Sequence, residues 1–172
     1  MEVNMSEIAT LNDSNKGVAE SAKGELLQYL TFKLIDETYG INVMQIREVL
    51  RYSEIAPVPG APSYVMGIVN LRGNVVTVVD SRVRFGLPDA TISDDTRIII
   101  VEHDTEQVGL LVDAVQEVFY LYQGEIEQSP SVGNDEAIRF IQGVYQKDDE
   151  LVILLELDRF FESNDTLGIE AL

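Results

Sequence analysis

Residues 39–50 read YGINVMQIREVL, and residues 108–119 read VGLLVDAVQEVF. They align without a gap at an offset of 69 residues, with Gly40/Gly109, Val43/Val112, Glu48/Glu117 and Val49/Val118 identical and Ile41/Leu110, Ile46/Val115 and Leu50/Phe119 kept apolar. The same offset lays LTFKLIDET at 30–38 on IIVEHDTEQ at 99–107. Downstream, MGIVNLRGNVVTVVD at 66–80 is echoed by QGVYQKDDELVILLE at 142–156 at an offset of 76, so the second copy carries seven extra residues in its middle loop. Any two amphipathic hairpins share some pattern. An offset that holds through the preceding strand marks a duplicated β unit, with copies at about 28–86 and 97–162.

Between 25 and 162 the pattern is β. YLTFKLI at 29–35 is a β-branched and aromatic run, ended by the turn-forming Asp36-Glu37-Thr38. YGINVMQI alternates in part and reads on into REVLRY, so that Glu48 closes the second strand. IAPVPGAPSY at 55–64 holds Pro57, Pro59, Pro62 and Gly60, which cannot sustain a hydrogen-bond ladder, and predicts an irregular crossover. VMGIVNL and VVTVV flank a hairpin turn at Arg72-Gly73-Asn74. Asp80 is placed to cap one helical turn that Gly86 ends. Runs at 97–101, 107–115, 117–121, 138–145 and 151–157 supply the strands of the second copy. Ten short strands with frequent turns favour small closed or nearly closed barrels. A unit of about 60 residues has a marginal core alone, so two of them are expected to share a seam. Whether strands exchange between the two is open. Residues 1–24 and 163–172 read as tails, the first of them flexible.

There are 30 acidic residues against 12 basic ones, for a net charge of −18. The charge is uneven: residues 39–88 set five arginines against three acids, whereas residues 89–172 carry twenty acids and four basic groups. This balance argues strongly against a nucleic-acid-binding surface and against docking on anionic lipid. An acidic mimic of nucleic acid would need its acids arrayed on one face, which the basic middle opposes. That basic middle is a place for a partner to dock in one orientation. The chain has no cysteine, so disulfides and thiolate chemistry are excluded and a reducing compartment is compatible. The first 25 residues lack the apolar stretch of a signal peptide, and no apolar run approaches the roughly 20 residues that span a bilayer.

Motifs for catalysis are sparse. His103 is the single histidine and lies in a turn, EHDTE, which leaves neither a histidine pair for zinc nor a nucleophile elbow for a hydrolytic triad. The clusters Asp94-Asp95, Asp135-Glu136 and Asp148-Asp149-Glu150 fall at turns and lack the spacing of a calcium loop. Scattered carboxylates keep an enzyme formally open, with nothing else in its favour. No catalytic residue, metal or cofactor is expected. The polar group that stands out is Glu48, flanked by Arg47 and Arg51, with Arg72 at the tip of the following hairpin. Arginine is planar and permanently charged, so a Glu48–Arg72 pair would tie two strands and leave donors for a visitor. Spacing alone favours an ordinary surface pair of little energetic consequence.

At NLRG, residues 70–73, the chain gains a family likeness. YGINVMQIREVLRY, the proline loop, GIVNLRGNVVTVVDSRVRFG and the later VGLLVDAVQEV closely resemble the CheW family of bacterial chemotaxis coupling proteins, over roughly residues 26–162. The resemblance implies an all-β fold of two five-stranded SH3-like barrels packed side by side around a hydrophobic seam, with one or two short helical turns. It implies a non-catalytic cytoplasmic adaptor that sits at the membrane-associated receptor array. The partners it implies are the helical-hairpin tip of a methyl-accepting chemoreceptor and the regulatory domain of the histidine kinase CheA. It also implies that Ile46, Glu48, Gly67 and Arg72 contact those partners. A coupling protein of a related system, such as pilus-based twitching motility, would resemble the same stretches.

Overall fold

A computed structural model describes residues 23–89, 91–128 and 138–162, the last three without their side chains. The tails and the part of the long second-copy loop beyond residue 128 lie outside the described residues. Among the described residues ten strands form: β1 (Leu26–Leu34), β2 (Glu37–Asn42), β3 (Ile46–Arg51), β4 (Val65–Leu71), β5 (Asn74–Asp80), β6 (Arg97–His103), β7 (Glu106–Val112), β8 (Ala114–Tyr122), β9 (Ile141–Lys147) and β10 (Glu150–Leu155). Two short helices follow β5 and β10: α1 (Ser81–Arg84) and α2 (Leu157–Glu162). As expected, the Asp80 carboxylate caps α1, accepting from the backbone N–H groups of Arg82 and Val83 at 3.0 and 3.4 Å.

The strands make two five-stranded sheets, ordered β8-β1-β2-β10-β9 and β3-β6-β7-β5-β4. Each sheet mixes the two copies. The first takes β1 and β2 from copy one and β8 to β10 from copy two; the second takes the complementary set. Copies 28–86 and 97–162 therefore do not correspond to the two lobes: each gives its first two strands to one lobe and its last three to the other. The exchange is reciprocal down to the register. Parallel pairing of β2 with β10 sets Tyr39 against Ile153, and that of β5 with β7 sets Val108 against Thr77, the same two positions under the offsets of 69 and 76. The bulge in β3 between Ile46 and Glu48 recurs in the pairing of β1 with β8.

The crossings correct two sequence readings. β2 and β3 are not one strand: the Asn42 side chain accepts from the Met44 N–H and starts a 3₁₀ turn, Val43–Gln45, that carries the chain from one sheet to the other. Glu48 therefore lies within β3 and does not end the second strand. In the second copy the break falls at Asp113, between β7 and β8, not at Gln116. The first hairpin turns at Ile35-Asp36, and Glu37 and Thr38 already belong to β2.

Exchange makes the inner strands two-faced. On β6, Ile98 and Ile100 fill one lobe with Val69, Val76, Val78 and Leu111. Ile99 and Val101 point the other way into the seam, beside Phe32, Leu34, Ile41 and Leu110. Tyr29, Phe119, Leu121, Val152 and Leu154 fill the other lobe. Burial on both faces explains continuous apolar runs such as RIIIV where a half-exposed strand would alternate. Each such side chain removed from water contributes about 1.5–3 kcal/mol. A column of rings runs along the seam: Phe32 on Tyr39, Tyr39 on Phe85 and Phe85 edge-on to Phe140, with centroids 5.7–5.8 Å apart. Buried Arg84 lies over the Tyr64 and Phe140 rings at 4.6 and 4.7 Å.

Candidate functional site

β3 and β4 are the outer strands of the second sheet. The β4–β5 hairpin turns at Arg72-Gly73, both with positive φ (52° and 85°), the geometry of a type I′ turn. The Gly73 N–H is held by the Asn70 side chain at 2.9 Å. This turn throws the Arg72 side chain toward β3, where Nη1 and Nη2 donate to the two Glu48 carboxylate oxygens at 3.0 and 2.8 Å. The fork is bidentate, and Arg72 is still 74% exposed. The hydrogen bonds from Arg72 hold the Glu48 carboxyl below its ordinary value, and Glu48 in turn raises the guanidinium. Next to Glu48, Arg47 pairs with Glu102 at 3.0 Å. Arg47, Glu48, Arg72, Asn74 and Gln107 surround a cavity of about 180 Å³ floored by Leu71 and Ile100. It presents fixed charge and side-chain amides at its mouth.

The four expected residues fall in three places. Glu48 and Arg72 are brought together. Ile46 lies two residues before Glu48 on β3, but the intervening bulge leaves it half-buried against the seam. Gly67 is buried on β4, behind the proline loop. A Cβ there would overlap the Ala56 carbonyl, which accepts from the Ile68 N–H at 2.8 Å while the Ala56 N–H donates back at 2.9 Å. Gly67 thus seats the loop and does not offer a contact surface itself.

The other lobe repeats the device. Glu117, the repeat partner of Glu48, receives the Lys147 ammonium across the gap between the outer strands β8 and β9. Phe119 stacks on Tyr145 beside it at 5.4 Å. Gly143 meets the carbonyl of Glu127 as Gly67 meets that of Ala56. The offset of 69 pointed to Glu117. Lys147 was missed because the 76-residue alignment sets it against Leu71, one place short of Arg72. Glu102 as the partner of Arg47 had no signal in the sequence, since their pairing depends on register between β3 and β6.

Among the described residues, no group of three or more His, Cys, Asp or Glu side chains is placed to hold a metal. No described helix is long and apolar enough to cross a membrane. His103 ends β6 with Nδ1 2.9 Å from Asp158 of α2, where Gln45 also donates at 3.1 Å, so it belongs to a polar cluster joining α2 to the first crossing.

Residues 28–165 match the family model of the CheW-like domain. A chemotaxis protein CheW of Rhizobium meliloti is 33% identical over 138 residues, covering 80% of this chain and 89% of its own. Protein FrzA of Myxococcus xanthus is 26% identical over 151 residues, covering 87% and 93%. The crystal structure of scaffolding protein TtCheW from Thermoanaerobacter tengcongensis matches with a TM-score of 0.74 at 35% identity, over 82% of this chain and 96% of that one. With its two mixed five-stranded sheets, its NLRG hairpin and these relatives, the chain belongs to the CheW-like family of chemotaxis scaffolding proteins.

Proposed function

We propose that this protein is a non-catalytic adaptor that couples the cytoplasmic tip of a chemoreceptor to the regulatory domain of a histidine kinase, CheA. The observation that carries this reading is the Glu48–Arg72 fork: an ion pair fixed by two bonds, yet exposed on the rim of a two-lobed body, inside the stretch that matches the family. A receptor tip is a helical hairpin, and a helix docks by laying an apolar stripe into a groove while a fixed cation sets its orientation. Arg72 gives one N–H of Nη1 and one of Nη2 to Glu48 and keeps its other N–H groups for a helix carboxylate or carbonyl. Kinase docking then uses a separate face of the same body. The shared seam keeps the angle between the two faces constant, so movement of one partner is felt by the other. Modest affinities suffice where many copies assemble, because each further contact is intramolecular.

Reconstitution tests the reading. Receptor-containing membranes, the kinase and this protein are combined, and kinase autophosphorylation is followed with and without attractant. Receptor control that appears only when this chain is present is the expected result. Kinase activity indifferent to its addition would sink the assignment.

A further inference from the structure

Arg51 on β3 and Arg97 on β6 are register partners. In an antiparallel ladder such residues project from the same face with Cβ atoms about 5 Å apart, and like charges so placed repel. The chain keeps this pair although it has 30 acidic residues with which to neutralise it. Elsewhere it does neutralise: Arg47, Arg72 and Arg82 pair with Glu102, Glu48 and Asp113. Arg97 instead donates to the backbone carbonyls of Asp94 and Thr96, at 2.8 Å each. Arg51 is exposed and forms no ion pair among the described residues.

The two guanidinium groups line a cleft of about 610 Å³, between the end of β3 and the segment that leads into β6. Its shoulders are apolar: Tyr52 and Ile92 are 38% and 42% exposed. Its remaining lining is Ser93, Thr96 and one carboxylate, Asp94. The Ser93–Thr96 turn is braced from within, Ser93 N–H to the Thr96 hydroxyl at 2.8 Å and Asp95 N–H to the Ser93 hydroxyl at 3.1 Å. The cleft therefore has a firm wall, two cationic forks and a greasy rim.

We propose that this cleft docks an acidic segment of a protein partner, with one carboxylate bridging Arg51 and Arg97 and an adjacent apolar side chain resting on Tyr52 and Ile92. A bridging carboxylate removes the repulsion and satisfies both forks at once. The apolar shoulders select a peptide over a free anion, which has nothing to set against them. The rest of an acidic surface repels an acidic partner, so this spot also fixes its orientation. Strand alternation puts Arg51 and Val49 on one face of β3 and Glu48 and Leu50 on the other. The cleft is thus a separate docking point from the Glu48–Arg72 rim, and both can be occupied together.

The probe is a labelled peptide that alternates Glu with Leu and Phe, followed by fluorescence anisotropy on the full chain. Its Glu→Gln counterpart, free citrate and labelled single-stranded DNA serve as comparisons. The acidic peptide binds the wild type, and binding weakens as salt is added. Arg51→Thr and Tyr52→Ala each weaken it about tenfold. The Gln peptide does not bind, and citrate does not displace the acidic one at matched carboxylate concentration. Arg51→Thr also melts no lower than the wild type, because it removes a repulsion and not a support. Peptide binding unchanged by Arg51→Thr, equal binding of the Gln peptide, displacement by citrate, or tighter binding of the DNA would each overturn the proposal.

Discussion

Arg82 grips Asp113 where the chain leaves one sheet for the other, with Nη2 2.6 Å from Oδ2 and Nε 2.9 and 3.0 Å from the two carboxylate oxygens. The same carboxylate accepts the Ile35 N–H at 2.6 Å, at a residue held at φ 58°, which a β-branched side chain rarely adopts. Asp113 thus joins three segments: the β1–β2 turn, the β7–β8 crossing and α1. Arg82 and Asp113 are 15% and 19% exposed, so loss of the guanidinium strands a largely buried carboxylate. Arg82→Ala is expected to cost about 2 kcal/mol in urea denaturation, and Arg82→Lys to recover only part, since an ammonium cannot fork. A midpoint unchanged by Arg82→Ala would show that the crossing holds without it.

Gly67 and Gly73 separate steric from backbone demands on one hairpin. Both have positive φ, but nothing lies within 4 Å of a Cβ at Gly73, whereas one at Gly67 meets the Ala56 carbonyl. Gly73→Ala is expected to cost about 1 kcal/mol, from backbone strain alone. Gly67→Ala must also push the proline loop off β4, and about 3 kcal/mol is expected. Equal losses would mean the loop yields freely, and amide exchange at Ala56 and Ile68 would then be fast in both.

Val75 and Val76 are neighbours with opposite fates, 66% and 2% exposed. Val76→Asp puts an unpaired charge into the lobe interior beside Ile98 and Ile100 and is expected to abolish the cooperative melt. Val75→Asp should melt within a few degrees of the wild type. A folded Val76→Asp protein would refute the inward placement of that strand face.

The duplication was legible because identical glycines and glutamates kept one spacing, and that spacing survives as equivalent register. Which strands pair was not legible. The offset of 69 treats Gly40 and Gly109 alike, and each is equally at home against a strand from either copy: Gly40 lies under Leu154 and Val152, Gly109 under Ile98 and Val78. Local alternation cannot tell a strand that continues from one that crosses, so Val43–Gln45 and Asp113 went unread. The Glu48–Arg72 pair was visible as residue types 24 positions apart, and its fork became certain only through the turn geometry at Arg72. Arg51 and Arg97 gave no sign, because only the β3–β6 register sets them side by side.

Two carboxylates should respond to acid with opposite sign. The Lys33 ammonium at 2.8 Å, with the Thr38 hydroxyl, holds the Glu150 carboxyl below its ordinary 4.5. Its contribution is complete above 4.5 and is lost as the pH falls below that value. Burial, and then the charge of Asp158, push the Glu156 carboxyl above 4.5. Folding therefore favours its protonated form, and stability declines as the pH rises from 4.5 through its folded value. Glu150→Gln is expected to destabilise at neutral pH and Glu156→Gln to stabilise; on acidification the Glu156 difference fades as the pH falls toward 4.5, and the Glu150 difference fades below 4.5. Urea midpoints across that range decide, and the same sign for both variants would refute the assignment.

Arg72→Ala isolates binding from folding. The side chain is mostly exposed and is tied to β3 through Glu48. Its loss should leave the melting temperature within about 2 °C, in keeping with a surface pair. Binding should suffer more, because an oriented guanidinium at an interface centre is a frequent hot spot and its removal also releases Glu48 to repel an acidic partner. A loss of about tenfold or more is expected for either a receptor-tip fragment or the kinase regulatory domain, read by calorimetry. Glu48→Gln keeps a hydrogen bond to Arg72 while removing the neutralising charge, so it should disturb binding less than Arg72→Ala. Affinity for both partners unchanged by Arg72→Ala would remove this rim from the docking surface.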